Sequence, residues 1–429
     1  MKPLADAFVQ HWKESPKYRI GLVLALLYFL IRLGINFSWH MEWLVVEGWP
    51  SNTDLKVYWN TGQQFRAQED LYFEPKEDFS VFVYTPIFAM LMGPVSWASY
   101  HVALVGQIAL TLVCYAALYW RWFIIFQRYG LEQVARQMIL WLPAWLVSAA
   151  IIYDLTYLNV YTLMALLATL LVEAVLREDL GWSVVLMSLI LPAKPHWAFP
   201  LALPFLLRRW RFGFRLLIGG LVVFAALVGL TILIGGYDYV SGQFGDYLDT
   251  LRSIPRTFAW STSEDGHFGF NHSIMQIVIF FGGVNSGSFA GATLIKAALW
   301  LPLLWAGWLA LRRKTSALPG WPVEWVLVLY SAIFILIDVM HEVTWVLIVF
   351  AYLHVMIQDR ILRRLLSVLV WLYVLADILT IAAYALWLPE MMGYVPLALL
   401  VLLAFYGVLV FRLLAELRRP GGPEIAERG

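Results

Sequence analysis

One cysteine stands in 429 residues, and charged side chains make up only 14% of the chain. Cys114 lies inside a long apolar block, which excludes an internal disulfide and gives no support to a thiolate metal site. The formal net charge is +1, so nothing in the charge balance points to a nucleic-acid partner. The sequence shows no soluble domain, no 20–50-residue repeat and no low-complexity segment. What it has instead is apolar: 61% hydrophobic residues, 22 tryptophans and a mean hydropathy of +0.72. These come in blocks long enough to span a bilayer. The fold class they imply is an all-α polytopic membrane protein.

Basic residues set the expected topology, because Lys and Arg resist translocation. Lys2, Lys13, Lys17 and Arg19 put the N-terminus in the cytoplasm. The first span, 19–37, lacks a small-residue cleavage site before Trp39 and reads as a retained anchor. An acidic exterior loop follows over 38–99, then spans and a broken helix over 100–234. A second exterior loop covers 235–270, C-terminal spans cover 271–414, and a cytoplasmic tail closes the single membrane domain at 415–429. Every strong basic cluster then falls on one side, with about eleven transmembrane helices plus re-entrant and interfacial ones.

Three stretches break the apolar pattern. NTDLKVYWNTGQQF, from residue 52, mixes Asp54, Lys56 and Asn60 with Leu55, Tyr58, Trp59 and Phe65. That mixture predicts an amphipathic helix lying at the membrane surface. Residues 180–207 have the length of one span, but one span would put Arg208, Arg209, Arg211 and Arg215 outside. LPAKPHW offers the way out, with Pro192 and Pro195 bracketing Lys194, so two partial helices are expected to meet at an outward elbow. FNHSIMQIVIFFGG is too short to span and reads as a re-entrant helix capped by Asn271.

With this topology the polar residues gather at the outer boundary: Asp54, Asp154, Asn159, Lys194, His196, Arg256, Asn271, His272, His341 and Glu342. Ionisable groups at membrane depth are expensive and tend to be functional. Each also has a plainer reading. Asp54 can cap its helix, as can Asp154 and Asn159 at the start of the fourth span. Lys194 can snorkel to headgroups, Arg252 and Arg256 can simply be solvated, and Glu342 suits a helix start. A metal site from Asp154, His196, His341 and Glu342 has no HExxH or comparable spacing behind it.

The order of several motifs resembles the GT-C superfamily of membrane glycosyltransferases, most closely glycosyltransferase family 87. The matching pieces are DLKVYW with the later LYFEP and YTPIFAMLMGP, YLNVYTLMALLATLL, AKPHWAFPLALPFLLRRWR, FNHSI and HEVTWVL. The family often has two prolines where this chain has Thr85–Pro86, and Gly-Gln before the asparagine matched by Asn159.

The resemblance implies a GT-C-like fold and a hexosyltransferase that uses a polyprenyl-phosphate sugar, mannose, as donor and a glycan or glycolipid as acceptor. It also implies a multi-pass protein of the plasma (inner) membrane, with the active site on the exterior face and membrane lipids around it. Such a donor carries its own leaving group, so the enzyme supplies a base, cations for the phosphate and a groove for the tail. By resemblance Asp54 is the base. Lys194, Arg256 and His341 are expected on the donor phosphate. Asn159, His196, Asn271, His272 and Glu342 are expected on sugar or acceptor, with Tyr58 and Trp59 stacking on sugar rings. Direct displacement inverts the anomeric centre and needs neither metal nor cofactor. The rival from another class is a lipid or anion transporter or flippase, which would share the broken helices. A scaffold subunit with a dead site is a third reading.

Overall fold

The computed structural model describes residues 2–45, 53–72, 82–258, 260–266, 268, 271–312, 320–338, 343–385 and 395–418. All regular structure among them is helical. The chain opens with α1 (Lys2–Glu14), α2 (Pro16–Val45), α3 (Asp54–Ala67) and α4 (Pro86–Met92). It continues through α5 (Tyr100–Arg128), α6 (Glu132–Leu140), α7 (Leu142–Leu146), α8 (Ala149–Tyr157) and α9 (Tyr161–Leu176). Next come α10 (Leu180–Ile190), α11 (Leu203–Leu206), α12 (Trp210–Gly235) and α13 (Tyr237–Thr257). The C-terminal part holds α14 (Ile274–Gly282), α15 (Ser286–Arg312), α16 (Trp321–Leu336), α17 (Val346–Met356), α18 (Arg360–Val374), α19 (Ala376–Ala385) and α20 (Leu397–Arg418).

Among the described residues, five helices are long and apolar enough to cross a membrane: α2, α5, α12, α15 and α20. Counting α6 with α7–α8, bent by 61°, and α18 with α19, bent by 62°, raises the number to seven. The expected eleven full spans are therefore not what the helices give by length. The other apolar helices, α9, α10, α16 and α17, have only 11 to 16 residues. The expected third span is where α6 and α7–α8 bend, because Pro143 at the start of α7 has no amide to continue the ladder. The first span also runs beyond 19–37, as α2 continues to Val45.

The 180–207 segment is broken, as its prolines predict. α10 stops at Ile190, Lys194 stands at the N-cap of a 3-10 helix (Pro195–Ala202), and the short α11 follows. The break frees the Pro192 carbonyl at a depth where water is scarce. Thr85 satisfies it, donating to it from Oγ1 at 2.8 Å and from the backbone N–H at 3.4 Å. The second exterior stretch is not a loop over most of its length: α13 occupies 21 residues of it, with many side chains exposed.

Lone charges inside the apolar helices are paired across the bundle. Glu173 of α9 receives Arg121, Arg128 and Arg177, the second at 2.7 Å. Glu324 of α16 takes Arg412 at 3.0 Å and the Tyr352 hydroxyl at 2.8 Å. Asp377 takes Arg32 at 2.8 Å and the Tyr28 hydroxyl. Buried charges require such partners. The helix α9 is thus a ruler, with the Asn159 turn at its start and the arginine-bound Glu173 near its end.

Candidate active site

The site begins with how α3 starts. Thr53 is its N-cap residue and Asp54 already lies in the first turn. The Asp54 carboxylate is not spent on the amides of its own helix. It accepts the Asn159 side-chain N–H at 2.5 Å, 105 residues further on. The plainer capping reading of Asp54 does not describe this structure.

Asn159 is held by the turn between α8 and α9. Leu158 adopts a left-handed conformation (φ 53°), which turns the chain and lets the Asn159 N–H reach the Asp154 carbonyl. A non-glycine residue in that region costs about 1–2 kcal/mol, a cost that persists where surroundings fix it. Those surroundings are specific. The Asn159 side-chain oxygen accepts Val160 N–H at 2.6 Å and the Tyr58 hydroxyl at 3.2 Å. Its backbone carbonyl accepts the Gln107 amide at 2.8 Å. Asn159 therefore orients Asp54 and is itself fixed from three helices. Asp154 plays the capping part, one carboxylate oxygen accepting Thr162 N–H at 3.0 Å while the other is buried without a hydrogen-bond partner among the described residues.

Lys194 completes the group. It is buried, not extended to a surface, and its ammonium sits 3.9 Å over the Tyr161 ring and 5.3 Å over the Tyr84 ring. Aromatic faces stabilise a cation in this geometry. The snorkelling reading is overturned by that burial. Burial pushes the Asp54 carboxyl above its ordinary value, and the Lys194 charge and the Asn159 hydrogen bond pull it back. The Tyr84 hydroxyl meets that of Tyr58 at 2.9 Å, and Tyr72 donates to the Tyr84 carbonyl at 2.7 Å.

The remaining expected residues fall into four groups. Tyr58 is buried in packing and Trp59 is half-buried. Tyr58 is 1% exposed against Phe88 and Tyr84, and the Trp59 indole donates to the Ala98 carbonyl at 3.0 Å. His196 stands near Lys194 with its ring edge-on to Phe334 and its Nε2 buried without a hydrogen-bond partner among the described residues. Asn271 belongs to a separate network: its N–H donates to the Asp338 carbonyl at 2.8 Å, and half-buried His272 follows it. The cap of α14 is Ser273, not Asn271, since the Ser273 oxygen accepts Gln276 N–H at 3.1 Å. Arg256 lies in the last turn of α13, its side chain outside the described residues, and His341 and Glu342 also lie outside them.

Sequence reasoning missed two residues here. Gln107, a lone amide in an apolar helix, anchors the Asn159 turn. Lys296, a lone ammonium in α15, is buried and pairs with Asp338, also donating to the Leu336 carbonyl at 2.9 Å. The signal in both cases was a polar side chain with no polar neighbour in sequence.

A polytopic helical bundle with a half-buried carboxylate, its orienting amide and a buried cation defines a class: a membrane protein equipped for chemistry on a polar group. The chain belongs to glycosyltransferase family 87, whose family model matches residues 82–337. It is therefore a glycosyltransferase, and that membership decides against the transporter reading. The match covers Asn159, Lys194, His196, Asn271 and His272, whereas Asp54, His341 and Glu342 lie outside it. Among curated proteins none matches the chain.

Proposed function

We propose that this glycosyltransferase moves mannose from a polyprenyl-phosphate donor to a lipid or glycan acceptor at the exterior face of the plasma membrane, with inversion. The observation that supports the reading is the Asn159–Asp54 hydrogen bond of 2.5 Å in a part-buried setting that Lys194 charges positively. In this scheme Asp54 takes the proton of the acceptor hydroxyl as its oxygen bonds to the anomeric carbon. The bond from that carbon to the phosphate oxygen breaks, and polyprenyl phosphate leaves with the electron pair. Lys194 opposes the charge that develops there, and Arg256 and His341 are its partners on the phosphate. His196, Asn271, His272 and Glu342 contact sugar or acceptor. Asn159 acts through Asp54, and Tyr58 through Asn159.

The orientation of Asp54 supports this division of labour. A base must be ionised at neutral pH yet retain affinity for a proton, and burial opposed by one cation and one hydrogen bond serves both needs. The test uses purified full-length protein, a short-chain polyprenyl-phospho-mannose and lipid acceptors from the native membrane. Release of polyprenyl phosphate coupled to a mannosylated acceptor is the expected result. Turnover of a nucleotide-sugar in place of the lipid donor would reject the donor assignment. Cysteine labelling at positions 194 and 210, after replacing Cys114, checks the face: 194 should label from outside and 210 from the cytoplasm.

A further inference from the structure

At the other end of the bundle from Asp54 there is a cavity of about 740 Å³, lined by His354, Arg360, Arg363, Arg364, Ser367 and Val368. It lies where α17 ends and α18 begins. α16 separates the two places: His196, two residues from Lys194, packs on Phe334 near one end of it, whereas Glu324 near the other end holds Arg412, which donates to the Met356 carbonyl at 3.0 Å close to His354. From Glu324 to Phe334 the helix rises about 15 Å.

Charge is what marks this cavity. Arg32, Arg121, Arg128, Arg177, Arg209, Arg252 and Arg412 each have a carboxylate partner. Arg360, Arg363 and Arg364 have none among the described residues, as is also true of Arg136, Arg211 and Arg215, but the first three line one cavity together. The nearby acids are already engaged: Asp359 accepts Leu362 N–H at 2.7 Å as the cap of α18, and Glu324 holds Arg412. His354 adds a buried Nδ1 without a hydrogen-bond partner among the described residues. Three guanidiniums around one space, two of them on exposed residues, favour an anion there, and their forked donors match phosphate oxygens.

The rim shows what kind of anion fits. Ile361, Leu365 and Val368 on the same helix are 71%, 64% and 60% exposed. In a membrane-spanning bundle such side chains face acyl chains. A basic hollow bordered by a lipid-facing apolar surface suits a molecule with a phosphate at one end and hydrocarbon at the other. We propose that this cavity is a binding site for the phosphate headgroup of an anionic phospholipid, separate from the site around Asp54. Arg360, Arg363 and Arg364 grip the phosphate, and Ile361 and Leu365 border its acyl chains.

The experiment is native mass spectrometry of the full-length protein in detergent, titrated with phosphatidylglycerol or with phosphatidylcholine of the same chains. The wild type should retain phosphatidylglycerol at roughly 10- to 100-fold lower concentration, given the attraction of each nearby arginine for an anionic lipid. R360Q/R363Q/R364Q should lose that preference, whereas R211Q/R215Q, which removes two exposed arginines of α12, should keep it. R364Q alone, at an exposed position with no ion pair to break, should weaken it several-fold and guards against misfolding of the triple variant. No preference in the wild type, or a preference unchanged in R364Q, overturns the proposal. Displacement of the lipid by millimolar inorganic phosphate would assign the cavity to a free anion and overturn the lipid assignment.

Discussion

Asp54 sits between opposing influences. Burial favours its protonated form, and the Lys194 charge and the Asn159 hydrogen bond favour the ionised one. A base must be ionised, so kcat/KM is expected to fall as pH drops through the raised Asp54 pKa. Lys194→Met removes a lowering influence and should move this acid limb to higher pH, as well as raising donor KM and reducing kcat. A pH–rate profile of both proteins checks the direction, and an unmoved limb would separate Lys194 from Asp54. The stability sign runs the other way. Between the unfolded and the raised folded pKa, the folded state keeps a proton that the unfolded chain releases. The contribution is present below the unfolded value and lost as pH rises through the folded one. Acid should thus weaken catalysis while favouring the fold at this residue. Much of this was legible in sequence: Asp54 and Lys194 stand out as ions in unusual company. The hydrogen bond between Asp54 and Asn159 was not, because a contact across 105 residues leaves no local pattern.

At the scale of elements, the broken segment between α10 and α11 depends on Thr85. Its hydroxyl donates to the Pro192 carbonyl and accepts Phe88 N–H as the N-cap of α4. A proline at 85 could make neither contact. Thr85→Val should cost about 1–2 kcal/mol, the sum of a lost cap and a weakened buried hydrogen bond, and Thr85→Ser should be nearly neutral. Thermal unfolding midpoints in detergent compare the two, and equal losses would show that the hydroxyl is not what matters. Prolines made the break readable, since Pro192 and Pro195 cannot continue a helix. The bend at Trp141 was less so, because the run from α6 to α8 is apolar enough to pass for one span. The helical character of α13 was hidden by its polarity: Asp238, Asp246, Asp249 and Arg252 make it read as a loop, although their surface suits an amphipathic helix.

Across the whole molecule, lone charges in apolar helices act as interhelical ties. Glu173 joins α9 to α5 through Arg121 and Arg128. Glu173→Gln would leave these guanidiniums and that of Arg177 without their counter-charge. Breaking a fully buried pair costs about 3–5 kcal/mol, but Arg128 and Arg177 are 38% and 49% exposed and retain water, so about 1–3 kcal/mol is expected. Reduced yield and a lower unfolding midpoint, with kcat of the surviving protein unchanged, fit a tie remote from the chemistry. A specific loss of kcat would contradict that. The sequence displayed these arginines as topology signals only. Their second use, pairing with Glu173, Glu324 and Asp377, becomes visible when the helices are packed together.

The central claim is that Asp54 is the base, and Asp54→Asn tests it most directly. Asp54 makes no capping bond to its own helix, where Thr53 holds the N-cap position, and an amide oxygen at position 54 can still accept the Asn159 N–H, so helix and turn should persist. An amide cannot take the acceptor's proton. Transfer from polyprenyl-phospho-mannose should fall by roughly 10²–10⁴, as is usual on losing a general base, with yield and donor binding unchanged. Near-wild-type transfer by that variant would contradict the account and move the search for the base to Asp154 or Glu342.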